Sequence, residues 1–279
     1  MVQFPVDPGD RKEIGRTGET VSAVGLGTWS IRDPRKAFEA MVYAIELGID
    51  NIDTAEMYGD GEAERLVGRV LRVVGRDRVF VTTKLLPHRF RSLELAEKAM
   101  KASLQRLGVS SVDLVLIHWP DTIASIETQI KVLEYLAEKG YTRYIGVSNF
   151  DTILLEEALS FTRKHDIVAD QVRYSVAYKH PERRLLPLAI EKGITIQAYT
   201  PLERGVVNEY DILQRIAEKY GKTPVQVALN YLISRPRVVA IPKTERKERV
   251  EEIAGAMGWR LSPEDLEVLE GWTPAPRFT

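Results

Sequence analysis

The sequence alternates short apolar runs with longer amphipathic segments, and this alternation restricts the possible folds more than any other feature. The runs are rich in β-branched residues and apolar at nearly every position, which is typical of strands buried on both faces of a parallel sheet. Strict strand–helix alternation with eight repeats predicts a closed α/β barrel, the (β/α)8 or TIM barrel, rather than an open sheet. The predicted strands are Val24–Trp29, Asn51–Ala55, Val79–Leu86, Asp113–Trp119, Tyr144–Asn149, Val168–Val172, Thr195–Thr200 and Val238–Lys243.

The segments between the runs carry the signals that begin and end helices. An apolar stripe at helical spacing starts after Ser92, a favourable N-cap, and ends at Gly108. Thr223 and Ser262 each precede a proline at a first helical position, which is a second kind of helix start. These signals predict that amphipathic helices surround the barrel.

Two segments fall outside the repeat. Arg11–Val21 contains a turn at Arg16–Glu19 between short extended runs, which predicts an N-terminal β-hairpin that covers the bottom of the barrel. Leu261–Gly271 predicts an extra C-terminal helix. The chain has 279 residues and shows no linker or composition break, so we predict a single domain over residues 1–279.

The composition excludes several classes of function. Lys plus Arg number 39 and Asp plus Glu 40, and this balance argues against nucleic acid or an anionic membrane as a partner. No apolar run approaches the ~20 residues of a membrane span, and Met1–Asp10 does not resemble a signal peptide. Cysteine is absent and the histidines lack metal-ligand spacing, so no metal is expected. We expect a soluble cytoplasmic protein, with many charges that hint at heat stability.

Four residues with transferable protons or charges stand at or just beyond the ends of three consecutive runs: Asp53, Tyr58, Lys84 and His118. Each one alone is more often a cap, a solvated charge or a hydrogen-bonded structural residue. Together they place an acid, a phenol, an ammonium and an imidazole on one rim of the predicted barrel, where barrel enzymes carry their active sites.

The chemistry of these four groups suits the reduction of a carbonyl. A buried Asp53 would keep Lys84 charged, and the ammonium would lower the pKa of Tyr58 from its usual value of about 10. His118 would then hold a substrate oxygen by a hydrogen bond. Such a set can protonate the alkoxide that forms when hydride reaches a carbonyl carbon.

Several ordered motifs also match a known family. They are Gly25–Trp29, Ile52–Gly59, Thr83-Lys84, Asp113–Pro120, Gly146–Phe150, Tyr199–Leu202 and Ile241–Thr244. Through them the sequence resembles the aldo-keto reductase family over essentially its whole length. It is most similar to the compact alcohol-dehydrogenase-like members from heat-loving archaea.

The resemblance implies an enzyme that reduces aldehydes or ketones, with Asp53, Tyr58, Lys84 and His118 as catalytic tetrad and Tyr58 as proton donor. It implies NADPH as the preferred cofactor, with NADH also possible, bound across the barrel mouth. Ser148, Asn149 and Gln171 would hold the carboxamide and Tyr199 would stack on the nicotinamide. Gly27 and Thr28 would lie beneath the same site. The pyrophosphate would pass Thr200 and Leu202, the 2′-phosphate would meet Lys243, Thr244 and Arg249, and the adenine would meet Glu252.

The substrate walls would be Trp29, Tyr58, Leu86 and Trp119. Many family members have Trp where this chain has Leu86, and Asn where it has Ile253, so we expect a wider pocket and one adenine contact fewer. A short connection after Tyr199 and a short tail predict a shallow pocket for small carbonyl compounds. The chain would act as a monomer or weak oligomer. Two alternatives on the same fold stay open: a cofactor-binding subunit that senses redox state, and a phosphate-binding isomerase.

Overall fold

A computed structural model describes residues 3–275, and its main sheet has eight parallel strands in sequence order. All eight predicted strands are present, several of them shorter than predicted. They are β3 (Leu26–Gly27), β4 (Asn51–Asp53), β5 (Phe80–Leu85), β6 (Val112–Ile117), β7 (Thr142–Ser148), β8 (Ile167–Arg173), β9 (Thr195–Tyr199) and β10 (Val238–Ala240).

The first and last of these strands meet and close the barrel. Val24, just before β3, forms a parallel bridge with Ala240. The backbone N–H of Gly25 donates to the carbonyl of Ala240 at 2.8 Å, and that of Gly27 donates to Pro242 at 2.9 Å. The predicted TIM barrel is therefore confirmed.

Helices surround the sheet, and the predicted caps are formed. Ser92 accepts a hydrogen bond from the Leu95 N–H, Thr223 forms a capping box with Gln226, and Ser262 caps the predicted extra helix. The helices are α1 (Pro34–Glu46), α2 (Glu62–Val74), α3 (Leu93–Leu107), α4 (Ile126–Glu138), α5 (Thr152–Phe161), α6 (Leu185–Lys192), α7 (Asp211–Tyr220), α8 (Pro224–Ile233), α9 (Lys247–Ala254) and α10 (Pro263–Gly271). Short 3-10 helices cover Arg76–Arg78, Pro87–Arg91, His180–Arg183 and Glu203–Glu209.

The predicted hairpin is also confirmed, and it closes the N-terminal end of the barrel. Its strands are β1 (Arg11–Glu13) and β2 (Thr20–Ser22), which pair antiparallel. Ile14 and Val21 pack into the apolar interior of the barrel, next to Phe80 and Leu114. A second, larger apolar core fills the space between sheet and helices. With its bottom sealed, the barrel offers its C-terminal end to a ligand.

Within residues 3–275, no helix combines the length and the apolar character that crossing a bilayer requires. The end of the predicted C-terminal tail, residues 276–279, lies outside the described residues.

Candidate active site

Three neighbouring strands bring the four predicted catalytic residues together. Asp53 ends β4, Lys84 lies near the end of β5, and His118 directly follows β6. Tyr58 lies in the turn between β4 and α2. Because the strands are parallel and adjacent, their carboxyl ends share one rim, and the four side chains converge there.

The centre of the cluster is a buried ion pair. The Lys84 ammonium donates to Asp53 Oδ1 at 2.5 Å and to the carbonyl of Thr54 at 2.9 Å. Lys84 has no exposed surface, so these two acceptors compensate its charge. The ring of Tyr58 covers this pair, with its centroid 4.9 Å from Nζ.

His118 lies on the other side of the tyrosine. The two rings meet edge to face with centroids 5.6 Å apart, and the imidazole stacks on Trp119 at 4.0 Å. Within residues 3–275, His118 Nδ1 is buried and has no hydrogen-bond partner. Trp119 is 40% exposed and Trp29 52% exposed. Trp119 therefore keeps aromatic surface open next to the histidine on which it stacks.

The protonation states follow from burial. Burial, followed by the negative charge of Asp53, raises the pKa of Tyr58, so the predicted lowering below its usual value is wrong. The ammonium directs its N–H groups at Asp53 and Thr54 rather than at the phenol oxygen, so its attraction for a phenolate does not outweigh these two effects. Burial and the nearby Lys84 charge lower the pKa of His118 to about 3. At neutral pH the site holds a protonated phenol and a neutral imidazole.

Buried amides continue the site across the barrel. Gln171 Nε2 donates to Asp53 Oδ1 at 2.8 Å and to Gln197 Oε1 at 2.9 Å, which joins β8 to β4 through the interior. Ser148 Oγ donates to the carbonyl of Gln171 at 2.8 Å. The sequence analysis missed Gln197, although a lone amide inside the apolar run Thr195–Thr200 was a usable signal.

Asn149 connects these amides with the histidine. Its backbone has a φ of 61°, in the left-handed region, and its Nδ2 donates to the carbonyl of His118 at 3.0 Å. Its Oδ1 accepts a hydrogen bond from the Tyr199 hydroxyl at 2.8 Å. The predicted carboxamide and ring-stacking residues thus form one hydrogen-bonded group beside the four catalytic candidates.

The loop after β9 lies beside this group and is longer than predicted. Residues 200–210 separate β9 from α7 and include a 3-10 helix, so the predicted short connection is wrong. Thr200, Glu203 and Arg204 all have positive φ. Glu203 holds the loop through an ion pair with Arg173 at 2.6 Å, a long-range contact that the sequence pattern does not reveal. Leu202 packs against the core.

The loop after β3 faces this segment. The Thr28 N–H and hydroxyl both donate to the carbonyl of Asp53 at 3.0 Å. A Cβ atom at position 27 would lie 3.2 Å from the carbonyl oxygen of Ile241, which is a tight contact. Gly27 therefore fits closely against the segment that follows β10. The guanidinium of Arg204 lies 5.5 Å from the Trp29 ring. The two loops therefore meet above the rim.

The predicted phosphate and adenine residues lie together on the segment after β10. Lys243 forms an ion pair with Glu245, and Arg249 pairs with Glu252 at 2.8 Å. Thr244 Oγ1 accepts a hydrogen bond from the N–H of Arg246, the residue that precedes α9. The start of α9 has no side-chain cap.

Ile253 is buried in the core, so its side chain cannot take the place of a polar contact to a ligand.

The last predicted pocket residue, Leu86, is partly buried and fixed through its backbone. Its N–H donates to Glu56 Oε1 at 2.7 Å, and the same oxygen accepts from Arg89 Nε at 3.2 Å. The sequence analysis missed Glu56. In the part of the chain that the structure describes, no group of three or more acidic or histidine side chains could hold a metal ion.

Comparison with known proteins gives a consistent result. The model of the aldo/keto reductase family matches residues 23–272. The chain is 34% identical to the methylglyoxal reductase YeaE of Escherichia coli, over 96% of each protein. It is 33% identical to a glyoxal reductase of Bacillus subtilis, over 88% of this chain and 87% of the relative.

Solved structures agree with these matches. A thermostable aldo-keto reductase in complex with the inhibitor epalrestat superposes with a TM-score of 0.88 at 38% identity, covering 93% of this chain and 98% of the other. An aldo/keto reductase from Klebsiella pneumoniae in complex with NADP and acetate gives the same TM-score at 32% identity, over 96% and 97% of the two chains. On its sequence, its barrel and the arrangement of its rim, this chain belongs to the aldo/keto reductase family.

Proposed function

We propose that the protein reduces small aldehydes and ketones to alcohols with NADPH, and that Tyr58 supplies the proton. Membership of the family makes it an oxidoreductase that acts on carbonyl compounds. The observation that carries the assignment of Tyr58 is its position between a buried Lys84–Asp53 ion pair and a neutral His118.

The residues present fit a nicotinamide cofactor. Among the described residues, the side chain of Gln171 contacts protein partners through its Nε2 N–H groups alone. Its side-chain oxygen, Oε1, is therefore left for a ligand. Ser148 and Asn149 would hold the carboxamide next to it, and the ring of Tyr199 would stack on the nicotinamide. Gly27 and Thr28 would lie below, with Thr200 and Leu202 along the pyrophosphate. When bound, this cofactor supplies the hydride.

The other end of the cofactor would lie on the segment after β10. The uncapped start of α9 presents backbone N–H groups, which favour an anion there. Lys243, Thr244 and Arg249 would bind the 2′-phosphate, and Glu252 would meet the adenine. The NADP in the Klebsiella pneumoniae structure supports NADPH as the preferred cofactor. Use of NADH as a second cofactor remains part of the proposal.

The geometry gives each catalytic residue a separate task. The neutral imidazole of His118 orients the carbonyl oxygen by a hydrogen bond, because burial prevents its protonation near neutral pH. Tyr58 donates its proton to that oxygen as negative charge develops there. The Lys84 ammonium, 4.9 Å from the ring, stabilises the phenolate that remains. Asp53 keeps the ammonium charged and in place.

The walls of the site support small substrates. Trp29 and Trp119 expose aromatic surface, and Leu86 would leave more room than the Trp that many family members carry at this position. The similarity to a methylglyoxal reductase and a glyoxal reductase supports small dicarbonyl compounds as a first substrate class. The two alternatives, a redox-sensing subunit and an isomerase, are not proposed, because neither uses a proton donor placed between an ammonium and an imidazole.

Three further properties belong to this proposal. The absence of cysteine supports a location in the reducing cytoplasm. The charged composition, with 28% Asp, Glu, Lys and Arg, and the similarity to a thermostable relative support heat stability. A monomer or weak oligomer stays a prediction for sedimentation analysis.

The decisive experiment replaces the proton donor. Tyr58→Phe keeps the ring over Lys84 but has no proton to give, so NADPH-dependent reduction of methylglyoxal should fall roughly 10²–10⁴-fold. NADPH binding, followed by fluorescence, should stay within about twofold of the wild type. Tyr135→Phe, on the outer helix α4, is the matched control and should leave turnover unchanged. Near-normal turnover of Tyr58→Phe would refute the assignment.

A further inference from the structure

Asp170 is a fully buried carboxyl group that the proposed mechanism does not use. It lies in β8 directly before Gln171 and has no exposed surface. Within residues 3–275, neither of its oxygens has a hydrogen-bond partner. The backbone N–H of Phe150 lies close enough to oppose the rise in the pKa of this carboxyl group, but it does not meet hydrogen-bond geometry. Such a group requires an explanation, because an unpaired buried carboxylate is costly.

Its place in the strand shows which way it points. Gln171 reaches Asp53 and Gln197 through the barrel interior, and successive side chains of a strand face opposite sides. Asp170 therefore faces the helix layer. The residues opposite it on the neighbouring strands are the apolar Val147 and Ile196, which offer no polar side-chain group.

The Ser148–Asp151 turn lies next to this carboxyl group. It leads from β7 into α5, and Asp151 caps α5 by accepting from the Leu154 N–H at 2.9 Å. Asp151 is also the charged group that acts on Asp170 among the described residues, and it has the same sign. Tyr199 is a second titratable neighbour, because the charge of Asp170 acts on its hydroxyl. The negative charge of Asp151 disfavours a carboxylate at position 170.

Burial and the charge of Asp151 raise the pKa of Asp170 well above its usual range. A carboxyl group that is fully buried, with no hydrogen-bond partner for either oxygen among the described residues, is best accommodated as the uncharged acid, which is similar in shape and charge to an asparagine.

The same turn carries part of the proposed cofactor site. Asn149 is held in its left-handed conformation by its own N–H, which donates to the carbonyl of Gln171 at 2.9 Å, and by side-chain bonds to His118 and Tyr199. An ionised Asp170 would need water, and the Ser148–Asp151 turn is the part of its surroundings where the chain leaves regular structure. Hydration of the carboxylate would therefore displace Asn149.

We propose that Asp170 is a positioning residue for the nicotinamide site: its uncharged form supports the Ser148–Asp151 turn, and its ionisation in alkaline solution loosens the turn and weakens cofactor binding. This inference rests on the proposed role of Ser148 and Asn149 in holding the cofactor.

The test combines spectroscopy with binding. An infrared difference spectrum of wild type minus Asp170→Asn at neutral pH should show the C=O stretch of a protonated carboxylic acid, and this band should fade as the pH of the wild type is raised. The Kd of NADPH is then measured by fluorescence from about pH 6 to about pH 10. We expect equal affinities near neutral pH and roughly threefold or greater weakening of the wild type, relative to Asp170→Asn, at the alkaline end.

The controls distinguish a failure of the proposed cofactor site at Asn149 from a failure of the role of Asp170. If Asn149→Ala binds NADPH as tightly as the wild type, the proposed role of Asn149 fails, and this inference fails with it. If Asn149→Ala binds weakly but wild type and Asp170→Asn have the same pH profile, only the role of Asp170 is overturned. Absence of the carboxylic acid band at neutral pH would overturn it without any variant binding data.

Discussion

The ammonium of Lys84 has no contact with solvent, so two protein oxygens must replace its hydration. Asp53 and the carbonyl of Thr54 do so, and Gln171 adds a further hydrogen bond to the same carboxylate. Burial nevertheless lowers the pKa of Lys84, and the Asp53 charge partly offsets this effect. The ion pair therefore adds little to the free energy of unfolding, but removing one partner destabilises the fold strongly, because the other charge stays buried.

Lys84→Met should abolish most of the reductase activity and also destabilise the fold. Among the described residues, the variant leaves the buried Asp53 carboxylate with Gln171 as its one side-chain donor, which costs about 3–5 kcal/mol in comparable cases. Urea unfolding measures this loss, and Lys98→Met, at an exposed lysine of α3, is the control. If the charge is the cause, Asp53→Asn added to Lys84→Met should recover stability. A double variant no more stable than Lys84→Met would contradict this explanation.

His118 should make the protein more sensitive to acid. Its pKa in the folded protein is about 3, against an ordinary value of 6.5, so only the unfolded chain binds a proton between these values. Its contribution to stability is complete above about pH 6.5 and is lost as the pH falls through this window. Between about pH 7 and pH 5 the wild type should lose about 2 kcal/mol more than His118→Asn. Equal losses in urea unfolding would show that His118 is solvated.

At the scale of elements, we expect the segment that joins β10 to α9 to determine which cofactor is preferred. Arg249 pairs with Glu252 and Lys243 with Glu245. Glu245 also accepts the backbone N–H groups of Arg32 and Asp33, both at 2.9 Å, and so fixes this segment against the start of α1. The cations are therefore held in place, which would lower the ordering cost of binding a 2′-phosphate there.

Arg249→Ala should shift the preference of the enzyme towards NADH. A charge-assisted hydrogen bond to a 2′-phosphate contributes about 1.5–3 kcal/mol, so the ratio of kcat/KM for NADPH over NADH should fall roughly ten- to a hundredfold. Steady-state kinetics with both cofactors gives this ratio. Arg72→Ala, on α2, is a surface arginine control. An unchanged ratio would place Arg249 outside the phosphate site.

The elements were predictable where local signals determine them. The strands follow from the hydrophobic periodicity, the helix starts from capping residues such as Ser92, and the hairpin from its turn residues. Each of these signals acts within a few positions of the chain. The four catalytic candidates also follow, since parallel strands place their ends on one rim. Contacts such as Glu203–Arg173 and Glu56–Leu86 join distant loops, and no local pattern encodes them. The pKa of Tyr58 was missed for a related reason, because burial depends on the assembled site.

At the scale of the whole molecule, the barrel has one continuous sheet, with the hairpin at one end and the proposed active site at the other. The single domain over residues 1–279 stays a prediction, and calorimetry checks it. We expect one transition whose calorimetric and van't Hoff enthalpies have a ratio of about one. Activity should be lost at the same temperature. Two resolved transitions would contradict the single domain.

Closure of the barrel through Val24 and Ala240 has a consequence for biosynthesis. These residues lie more than two hundred positions apart, so the ribosome must release almost the entire chain before they can meet. Until then both lateral edges of the growing sheet expose unpaired backbone groups, which can associate with other chains. Pairing across this sequence separation also closes a very long loop, and long-range pairing of this kind slows folding. Nascent chains that stop short of β10 are therefore the species that a chaperone must protect from aggregation.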